Sequence, residues 1–385
     1  MPGCAAGPRC RSGRRFPLAA KPAQAQDGGR ARPSFAPDIS ISASLGANFG
    51  AHRFCVAPML DVSDRHFRYF ARQLTHAARL YTEMITTGAL LHGPRERLLA
   101  FDDAEHPVAL QLGGSEPDEL ARAARLGAAA GYDEINLNCG CPSPRVQRGA
   151  FGACLMREPA LVAECVRAMR DAVSVPVTVK HRIGVDRVES YEFVRDFVGT
   201  VSEAGCEVFV VHARNAWLDG LSPKENRTVP PLRRDVVAQL AGDFPSLTFV
   251  TNGGLRTHEE SLAQLARVHG VMIGREACEN PWMLAEVDPL YFDRSAPCAA
   301  REEAIDAMRP YLRRQVEAGE PPRAIVRHML GLFNGLPGAR MWRRTLSDPA
   351  ALDRHGADVL DYARAALSRA AARRDERDER TARSP

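Results

Sequence analysis

Cys141 is the residue of this 385-residue chain whose surroundings best suit chemistry at a carbon atom. It lies between Gly140 and Pro142, two residues that favour a tight turn and can hold the thiol outward. A thiol has a pKa of about 8.5 in water, so it is mostly protonated at neutral pH and suits a proton donor. Two alternatives stay open from the residues alone: a buried inert cysteine, and a nucleophile with a histidine base that the sequence cannot place.

Lys180 and His212 are a second pair of candidates, because each closes a run of β-type residues. A cationic pair inside a pocket stabilises an anionic ring or a phosphate group. The alternative for Lys180 is a structural ion pair with Glu83. Arg214 follows His212 closely, which favours a functional histidine over a core histidine.

Two short glycine-bearing segments, residues 252–254 (Asn-Gly-Gly) and 274–275 (Gly-Arg), could bind a phosphate. Glycine lets backbone N–H groups approach a ligand closely, and Arg275 adds positive charge. In a (β/α)₈ barrel the last two strands commonly carry a phosphate site at this place. The pattern therefore predicts a phosphate-bearing cofactor.

The elements that must position these residues recur as eight short β-type runs. The runs span 54–57, 80–83, 107–112, 134–138, 175–180, 208–212, 247–252 and 270–274. Segments 120–131 and 161–173 carry the helical apolar period between them. Alternating strands and helices imply a parallel sheet, and eight such units predict a closed (β/α)₈ TIM barrel. No G-x-G-x-x-G follows the first run, which argues against a doubly wound dinucleotide-binding fold.

Nearly every predicted strand ends in a polar or reactive group. The ends are Pro58-Met59, Glu83, Gln111, Asn138 to Cys141, Lys180 to Arg182, His212 to Arg214, Asn252 to Gly254 and Gly274-Arg275. In such barrels the carboxyl ends of the strands form the active site. A barrel with a purely structural role has no reason to gather these groups there, so we predict an enzyme.

The β–α rhythm stops near residue 295 and a small all-α region follows. Its predicted helices span 302–318, 322–333, 339–346 and 350–371. The predicted domains are a disordered extension at 1–48, a barrel at 49–298, a helical domain at 299–372 and a disordered tail at 373–385, for which a frayed helix end is the alternative. The extension is rich in Ala, Gly, Pro and Arg; a transit peptide or an upstream start codon are alternatives for it.

An arginine cluster marks the helical region. Its members, with no acidic residue between them, are Arg323, Arg327, Arg340, Arg343 and Arg344. Such a cluster predicts contacts with phosphate groups. Trp342 lies within it, and core packing is favoured for this side chain over stacking on a base.

Composition indicates an ordinary globular protein with a net charge of +4. The ten cysteines lack paired metal-ligand spacing, so we predict no metal site and a reduced, cytoplasmic protein. No apolar run reaches the roughly 18–20 residues that a membrane span needs, so we predict no membrane partner.

Taken together, these segments resemble the tRNA-dihydrouridine synthases over about residues 50–345. The resemblance is carried by VAPMLDVSDRHFR (56–68), LYTEM (80–84), PVALQLGG (107–114), YDEINLNCGCPSPRVQRGAFGACLM (132–156), PVTVKHRIG (176–184), VHARNAWLDGLSPKENR (211–227), TNGGL (251–255) and VMIGREACENPW (271–282). The SPKENR and GLFNGLPGARMWRR (331–344) segments are similar to the branch that acts on D-loop uridines at tRNA positions 20 and 20a.

The resemblance implies a flavin enzyme that uses NADPH to reduce a uridine in tRNA. The residues it assigns to FMN are Pro58, Met59, Leu60, Gln111, Lys180, His212, Asn252, Gly253, Gly254, Gly274 and Arg275. It makes Cys141 the proton donor to C5 of the uracil, with hydride passing from flavin N5 to C6. The residues it assigns to tRNA are Asn138, Lys224, Arg227, Arg340 and Arg343.

One departure from the family pattern is Asn215, where the branch usually carries lysine after H-A-R.

Two alternative functions stay open. One is an FMN barrel that acts on a free pyrimidine, of the dihydroorotate or dihydropyrimidine type. The other is a non-catalytic tRNA-binding protein, which would be colourless.

Overall fold

Eight parallel strands close into a barrel, as the sequence predicts. The computed structural model of the chain describes residues 50–382, without the side chains of residues 145, 148 and 374–382. The predicted extension at 1–48 lies outside the described residues. The strands are β1 (Phe54–Val56), β2 (Arg79–Thr86), β3 (Val108–Gly113), β4 (Glu134–Cys139), β5 (Val177–Arg182), β6 (Val208–His212), β7 (Thr248–Asn252) and β8 (Gly270–Ile273).

Helices fill the connections between the strands and continue beyond β8. They are α1 (Arg65–Arg72), α2 (Thr87–His92), α3 (Arg95–Leu98), α4 (Pro117–Ala129), α5 (Pro144–Arg148), α6 (Pro159–Ala172), α7 (Tyr191–Glu203), α8 (Arg234–Asp243), α9 (His258–Leu265), α10 (Arg275–Glu279), α11 (Val287–Phe292), α12 (Arg301–Glu317), α13 (Pro322–Val326), α14 (Ala339–Ser347), α15 (Pro349–His355) and α16 (Val359–Ala382). Among residues 50–382 no helix is long and apolar enough to cross a membrane.

Closure brings every strand end to one rim. β1 pairs with β8 through Cys55 and Met272, and each remaining strand pairs with its sequence neighbour. Because all strands are parallel, their carboxyl ends meet on the same face. At the opposite, closed end of the barrel the carboxylate of Glu134 is fully buried. It forms a hydrogen bond of 2.6 Å with the ring of His52 and lies 3.3 Å from the guanidinium of Arg79.

The helical region differs from its prediction in two places. The predicted helix 322–333 ends at Val326, and a 3₁₀ turn follows at Arg327–Met329. Further along, a Cβ on Gly331 would lie 2.5 Å from the carbonyl oxygen of Glu279, so only glycine fits there. The predicted helix 350–371 is broken at Gly356, whose backbone is not helical. Residues 373–382 continue α16 as helix, which agrees with the alternative of a frayed helix end for the tail.

The helical region packs on the barrel through paired groups on α1. Asp64 accepts hydrogen bonds from Arg327 at 2.6 Å and lies 3.0 Å from His328. Arg65 pairs with Glu320 at 2.6 Å. Arg327, which the sequence groups with the other arginines of the cluster, is therefore paired with a carboxylate of the barrel.

Trp342 lies in the core of the helical region, as the sequence analysis favours. It is fully buried, packs against Phe333 and donates its indole N–H to the carbonyl of Met329 at 2.8 Å. We expect Trp342→Ala to lower the free energy of unfolding by about 3–5 kcal/mol, measured by chemical denaturation. The adjacent, exposed Met341→Ala is the control and should change it by less than about 0.5 kcal/mol. Equal effects of the two would show that Trp342 is not a core residue.

Candidate functional site

A cavity of about 1010 Å³ opens at the carboxyl ends of the strands. Single-ligand pockets have volumes of roughly 300–1,000 Å³, so this cavity has room for more than one ring system. Its wall includes residues from the end of every strand and, on one side, Glu320 and Ala324 of the helical region. The predicted location of the active site thus coincides with the large cavity of the barrel face.

The structure gathers the predicted cofactor residues on this wall. Those lining the cavity are Pro58, Met59, Leu60, Gln111, Lys180, His212, Asn252, Gly253, Gly254, Gly274 and Arg275, together with Cys141. Of the five residues predicted to contact tRNA, Asn138 and Arg227 line it as well. Lys224, Arg340 and Arg343 are exposed and lie outside its wall.

The turn that carries Cys141 is fixed by its neighbours on the barrel rim. The backbone N–H of Cys141 donates to Asn138 Oδ1 at 3.0 Å, and its carbonyl accepts from the N–H of Ala153 at 3.0 Å. Arg182 Nε donates to the carbonyl of Gly140 at 3.0 Å. The partly exposed Cys141 side chain therefore faces the cavity from a rigid turn.

No histidine hydrogen-bonds the Cys141 thiol within residues 50–382, so the base that a nucleophilic cysteine requires is missing there. The Cys141 side chain is also partly exposed, whereas Cys139, two residues earlier, is fully buried in the apolar core. Burial raises the pKa of Cys139 well above its ordinary value. These surroundings favour a proton donor among the three alternatives for Cys141.

The ion pair between Lys180 and Glu83 that the sequence left open is not formed. Lys180 Nζ donates to Asn252 Oδ1 at 3.2 Å, and Glu83 accepts from the backbone N–H of Asp61 at 2.5 Å. Burial, followed by the nearby Arg182 charge, lowers the pKa of Lys180 to about 7. The Lys180 ammonium therefore loses its proton near neutral pH, because no carboxylate beside it in the described residues stabilises the charged form.

The expectation of a cationic pair is wrong for His212. Burial lowers the pKa of His212 well below its ordinary value, and the charges of Arg182 and Lys180 lower it further. The ring is therefore neutral at physiological pH. It offers one donor and one acceptor, which suits a hydrogen bond to a ligand rather than charge neutralisation.

Arg182 is a site residue to which sequence reasoning gave no role. Its guanidinium is 3% exposed and bonds the carbonyls of Gly140, Asn215 and Asn226 at 2.9–3.1 Å. Burial lowers the pKa of Arg182 to about 10, so it remains a cation without a carboxylate partner. The signal was available, because Lys180 and Arg182 alternate along β5 and must share a face.

The end of the cavity where the sequence predicts a phosphate is lined by two glycines with left-handed backbone conformations. Gly253 and Gly254 have positive φ angles of 114° and 69°, and a Cβ on Gly253 would come within 2.7 Å of the His212 ring. Only glycine fits this close approach. The positive charge of Arg275 contributes to lowering the pKa of nearby Arg214, after burial.

Arg214 and Arg234 are further cations near this end that the sequence analysis left without a role there. Arg234 donates to the carbonyl of Gly253 at 3.1 Å, and Arg214 contacts the carbonyl of Pro230. No described acidic side chain forms an ion pair with either of them or with Arg275. Glycines that line the cavity close to unpaired arginines fit a phosphate group.

Lys224 and Arg227 lie on an exposed loop that is fastened to the site by Asn226. Asn226 is fully buried and exchanges two hydrogen bonds of 2.8 Å with the backbone of Trp217. Its carbonyl accepts from Arg182 at 2.9 Å. Arg227 is thus held in the cavity wall, and the exposed Lys224 lies three residues before it on the same loop.

Asn215 occupies the position where the resemblance expects a lysine. It is 4% exposed, and its side chain donates to the carbonyl of Asp186 at 3.4 Å. A Cβ on Gly184 would lie 2.7 Å from Asn215 Oδ1, so the side chain is tightly enclosed. Asn215 is therefore a packing residue here and offers no surface contact.

Arg340, Arg343 and Arg344 are exposed on α14. None of them pairs with a carboxylate within the part of the chain that the structure describes. Arg340 and Arg344 also line a shallow groove with Gly338 and Met341. Unpaired exposed arginines on one helix are suited to bind phosphates.

Comparisons with known proteins identify the family of this chain. The sequence profile of the dihydrouridine synthase (Dus) family matches residues 55–371. A tRNA-dihydrouridine(20/20a) synthase of Yersinia pestis is 53% identical over 334 residues, 86% of this chain and 96% of the relative. Enzymes of the same name from Pseudomonas syringae pv. tomato and Escherichia coli (strain K12) are each 58% identical, over 81% of this chain and 93% and 90% of their own lengths. The chain belongs to the dihydrouridine synthase family.

Proposed function

We propose that this protein reduces the C5–C6 double bond of uridine to 5,6-dihydrouridine at positions 20 and 20a of the tRNA D-loop, with FMN as cofactor and NADPH as reductant. The relatives at 53–58% identity carry that substrate in their names. The observation that carries the proposal in this chain is the thiol of Cys141, held on a rigid turn in the wall of a cavity large enough for two rings.

Cys141 has the role of general acid in this proposal. A carbon atom must be protonated by a donor in a fixed position, and the turn that carries Cys141 is held by Asn138 and Arg182. When bound, the flavin supplies the hydride for C6 of the uracil. Cys141 delivers its proton to C5, and the resulting thiolate is stabilised by the nearby cations Lys180 and Arg182.

The FMN phosphate is assigned to the cradle of Gly253, Gly254, Gly274 and Arg275. The glycine geometry and the unpaired arginine there support this assignment. Gln111, Lys180 and His212 would hold the ring system through their polar atoms, and Pro58, Met59 and Leu60 would enclose it. Leu60 is 67% exposed, which a bound ring at the cavity mouth would reduce.

FMN affinity should depend on pH through Lys180. An anionic ligand favours the ammonium form of Lys180, whose pKa is lowered to about 7. Between pH 7 and 9 the ammonium fraction falls, so we expect the FMN affinity of the cofactor-free protein to fall by up to about tenfold per pH unit. Fluorescence quenching of FMN measures it. Lys180→Met should bind more weakly with a flat profile, whereas a profile as steep as the native one would exclude Lys180 as its source.

The tRNA is assigned to Asn138, Lys224, Arg227, Arg340 and Arg343. A base inside folded RNA must be extruded to reach a cavity, and cations at the mouth grip the backbone on either side. Arg227 in the cavity wall and the exposed Lys224 on the same loop support this assignment. Asn138 is only 8% exposed, so any contact it makes is with the extruded base and not with the backbone.

An activity assay of the purified protein with FMN and NADPH distinguishes this function from the two alternatives, a free-pyrimidine oxidoreductase and a non-catalytic tRNA-binding protein. We expect NADPH oxidation that depends on unmodified tRNA and a yellow protein with a flavin absorbance spectrum. Orotate, uracil and uridine as free substrates should give less than about a hundredth of that rate, because they lack the phosphates that the arginines contact. Faster turnover of a free pyrimidine would favour a small-molecule oxidoreductase, and a colourless inactive protein would favour a binding protein.

A further inference from the structure

A chain of buried side-chain hydrogen bonds runs through the barrel interior, from the closed end to the turn that carries Cys141. We call it the polar relay. Its members are Glu134, Thr178, Asn136, Gln111, Asn138 and the backbone N–H of Cys141. No role in the proposed reaction requires Glu134, Thr178 or Asn136.

Strand register builds the lower half of the relay. Asn136 lies opposite Gln111 of β3 and Thr178 of β5 in the sheet. Thr178 Oγ1 donates to Glu134 Oε1 at 2.6 Å, and Asn136 Nδ2 donates to Thr178 Oγ1 at 2.8 Å. Gln111 Nε2 donates to Asn136 Oδ1 at 2.7 Å. Three neighbouring strands are thus joined inside the barrel.

The upper half reaches the Cys141 turn. Asn138 Nδ2 donates to Gln111 Oε1 at 2.8 Å. Asn138 Oδ1 accepts from the backbone N–H groups of Gly140 at 3.1 Å and Cys141 at 3.0 Å. Every donor in the relay therefore points away from Cys141 and towards the closed end of the barrel.

This direction follows from the two ends of the relay. A backbone N–H can only donate, and a carboxylate can only accept. Burial alone would raise the pKa of Glu134, but His52 and Arg79 lower it to about 2, so the group is a carboxylate at neutral pH. Amides between a fixed donor and a fixed acceptor have one consistent orientation.

Water cannot substitute for a missing member. Glu134, Thr178 and Asn136 are 0% exposed, and Gln111 is 1% exposed. If the Thr178 hydroxyl is lost, the Asn136 N–H has no acceptor. Flipping the amides to satisfy it would turn an Asn138 N–H towards the N–H of Cys141, which removes the anchor of the turn.

We propose that Glu134, acting through the polar relay, fixes the orientation of the Gln111 and Asn138 amides and thereby holds the Cys141 turn in place. Glu134, Thr178 and Asn136 are then positioning residues that touch neither cofactor nor substrate. Gln111 is oriented by the same chain, with one Nε2 hydrogen left over for a ligand in the cavity.

Amide hydrogen exchange of the full-length protein tests the proposal, read by mass spectrometry on peptides covering residues 138–143. Thr178→Val keeps the shape of the side chain and removes the hydroxyl. We expect the amides of Gly140 and Cys141 to exchange about 5–10-fold faster, the effect of losing one buried hydrogen bond. Thr178→Ser should restore exchange to within about twofold of the native rate.

Tyr81→Phe is the matched control. Tyr81 is buried and donates to the same Glu134 Oε1 at 2.9 Å, but it lies outside the relay. It should leave exchange of the Cys141 turn unchanged. Equal acceleration in Tyr81→Phe and Thr178→Val, or native exchange in Thr178→Val, would overturn the proposal. If thermal melting shows that Thr178→Val does not fold, Thr178→Ala removes the same hydroxyl.

Turnover gives a second readout, which rests on the proposed function. Thr178→Val should lower kcat about 5–10-fold with the KM for tRNA unchanged, and Thr178→Ser should recover it. Native kcat in a variant with accelerated exchange would show that the relay holds the turn without serving catalysis, contrary to the proposal. Absence of tRNA reduction by the native protein would instead overturn the proposed function, while the exchange experiment would still test the relay.

Discussion

Replacing Cys141 by alanine is expected to lower the turnover of tRNA reduction about 10²–10⁴-fold, the range that a general acid contributes. The backbone of the turn is held by Asn138 and Arg182 and not by the thiol, so the site should keep its shape. FMN and tRNA affinities should stay within about threefold of native, because the thiol donates a proton in the reaction and contributes little to binding. Single-turnover kinetics with reduced enzyme measure the step directly.

Cys154→Ala is the control for this result. Cys154 is also a partly exposed free thiol, and its Sγ donates to the carbonyl of Phe151 at 3.1 Å. Burial raises the pKa of Cys154, yet nothing places it at the substrate. It should retain native turnover. Undiminished turnover in Cys141→Ala would remove Cys141 from the mechanism.

Reversing the charge of Arg340 and Arg343 together is expected to weaken tRNA binding about 10–100-fold at low salt. Both side chains are exposed on α14 without a carboxylate partner, so substitution changes a surface charge and not the core. Each lost phosphate contact should also reduce the slope of log affinity against log salt by about 0.7–0.9. Filter binding across a salt series gives both quantities.

The control carries the same charge change at the opposite end of the barrel. Arg125 lies near the end of α4 and Arg267 just before β8, and both are exposed. The pair Arg125→Glu and Arg267→Glu should leave the salt slope within about 0.3 of native, because surface charges beyond a Debye length of roughly 10 Å are largely screened. Equal slopes in the two double variants would show that α14 does not contact the tRNA backbone.

Strand positions were predictable because a buried parallel strand is a local pattern. All eight begin within two residues of their expected start, and the residues at their ends line the cavity. The protonation states of those residues could not be predicted from the local sequence. The neutral state of His212 depends on burial and on Arg182 and Lys180 from a neighbouring strand, which only the closed barrel brings together.

The sequence analysis did not identify the side chains that hold the site together. Asn226 is enclosed by a loop that closes on Trp217, and nothing in SPKENR distinguishes it from the exposed Lys224. The polar relay has a clearer pattern in the sequence. Glu134, Asn136 and Asn138 alternate along β4 and must face the barrel interior together, although their partners on β3 and β5 follow only from strand register.

Two features of the helical region, the pairing of Arg327 and the helix break at Gly356, could not be predicted from the local sequence. Arg327 belongs by sequence to a run of basic residues, but Asp64 pairs with it from more than two hundred residues away. A periodic apolar pattern continues through Gly356, where the backbone departs from helix. Core packing of Trp342 followed from its residue type alone.

Mapping of dihydrouridine at single-nucleotide resolution tests the central claim most directly. An unmodified tRNA that carries uridine at positions 20 and 20a would be treated with the purified protein, FMN and NADPH, with Cys141→Ala as the matched inactive enzyme. We expect dihydrouridine at those two positions and at no other uridine, and none with the variant. Native protein that leaves both uridines unreduced, or that modifies the tRNA only elsewhere, would contradict the account.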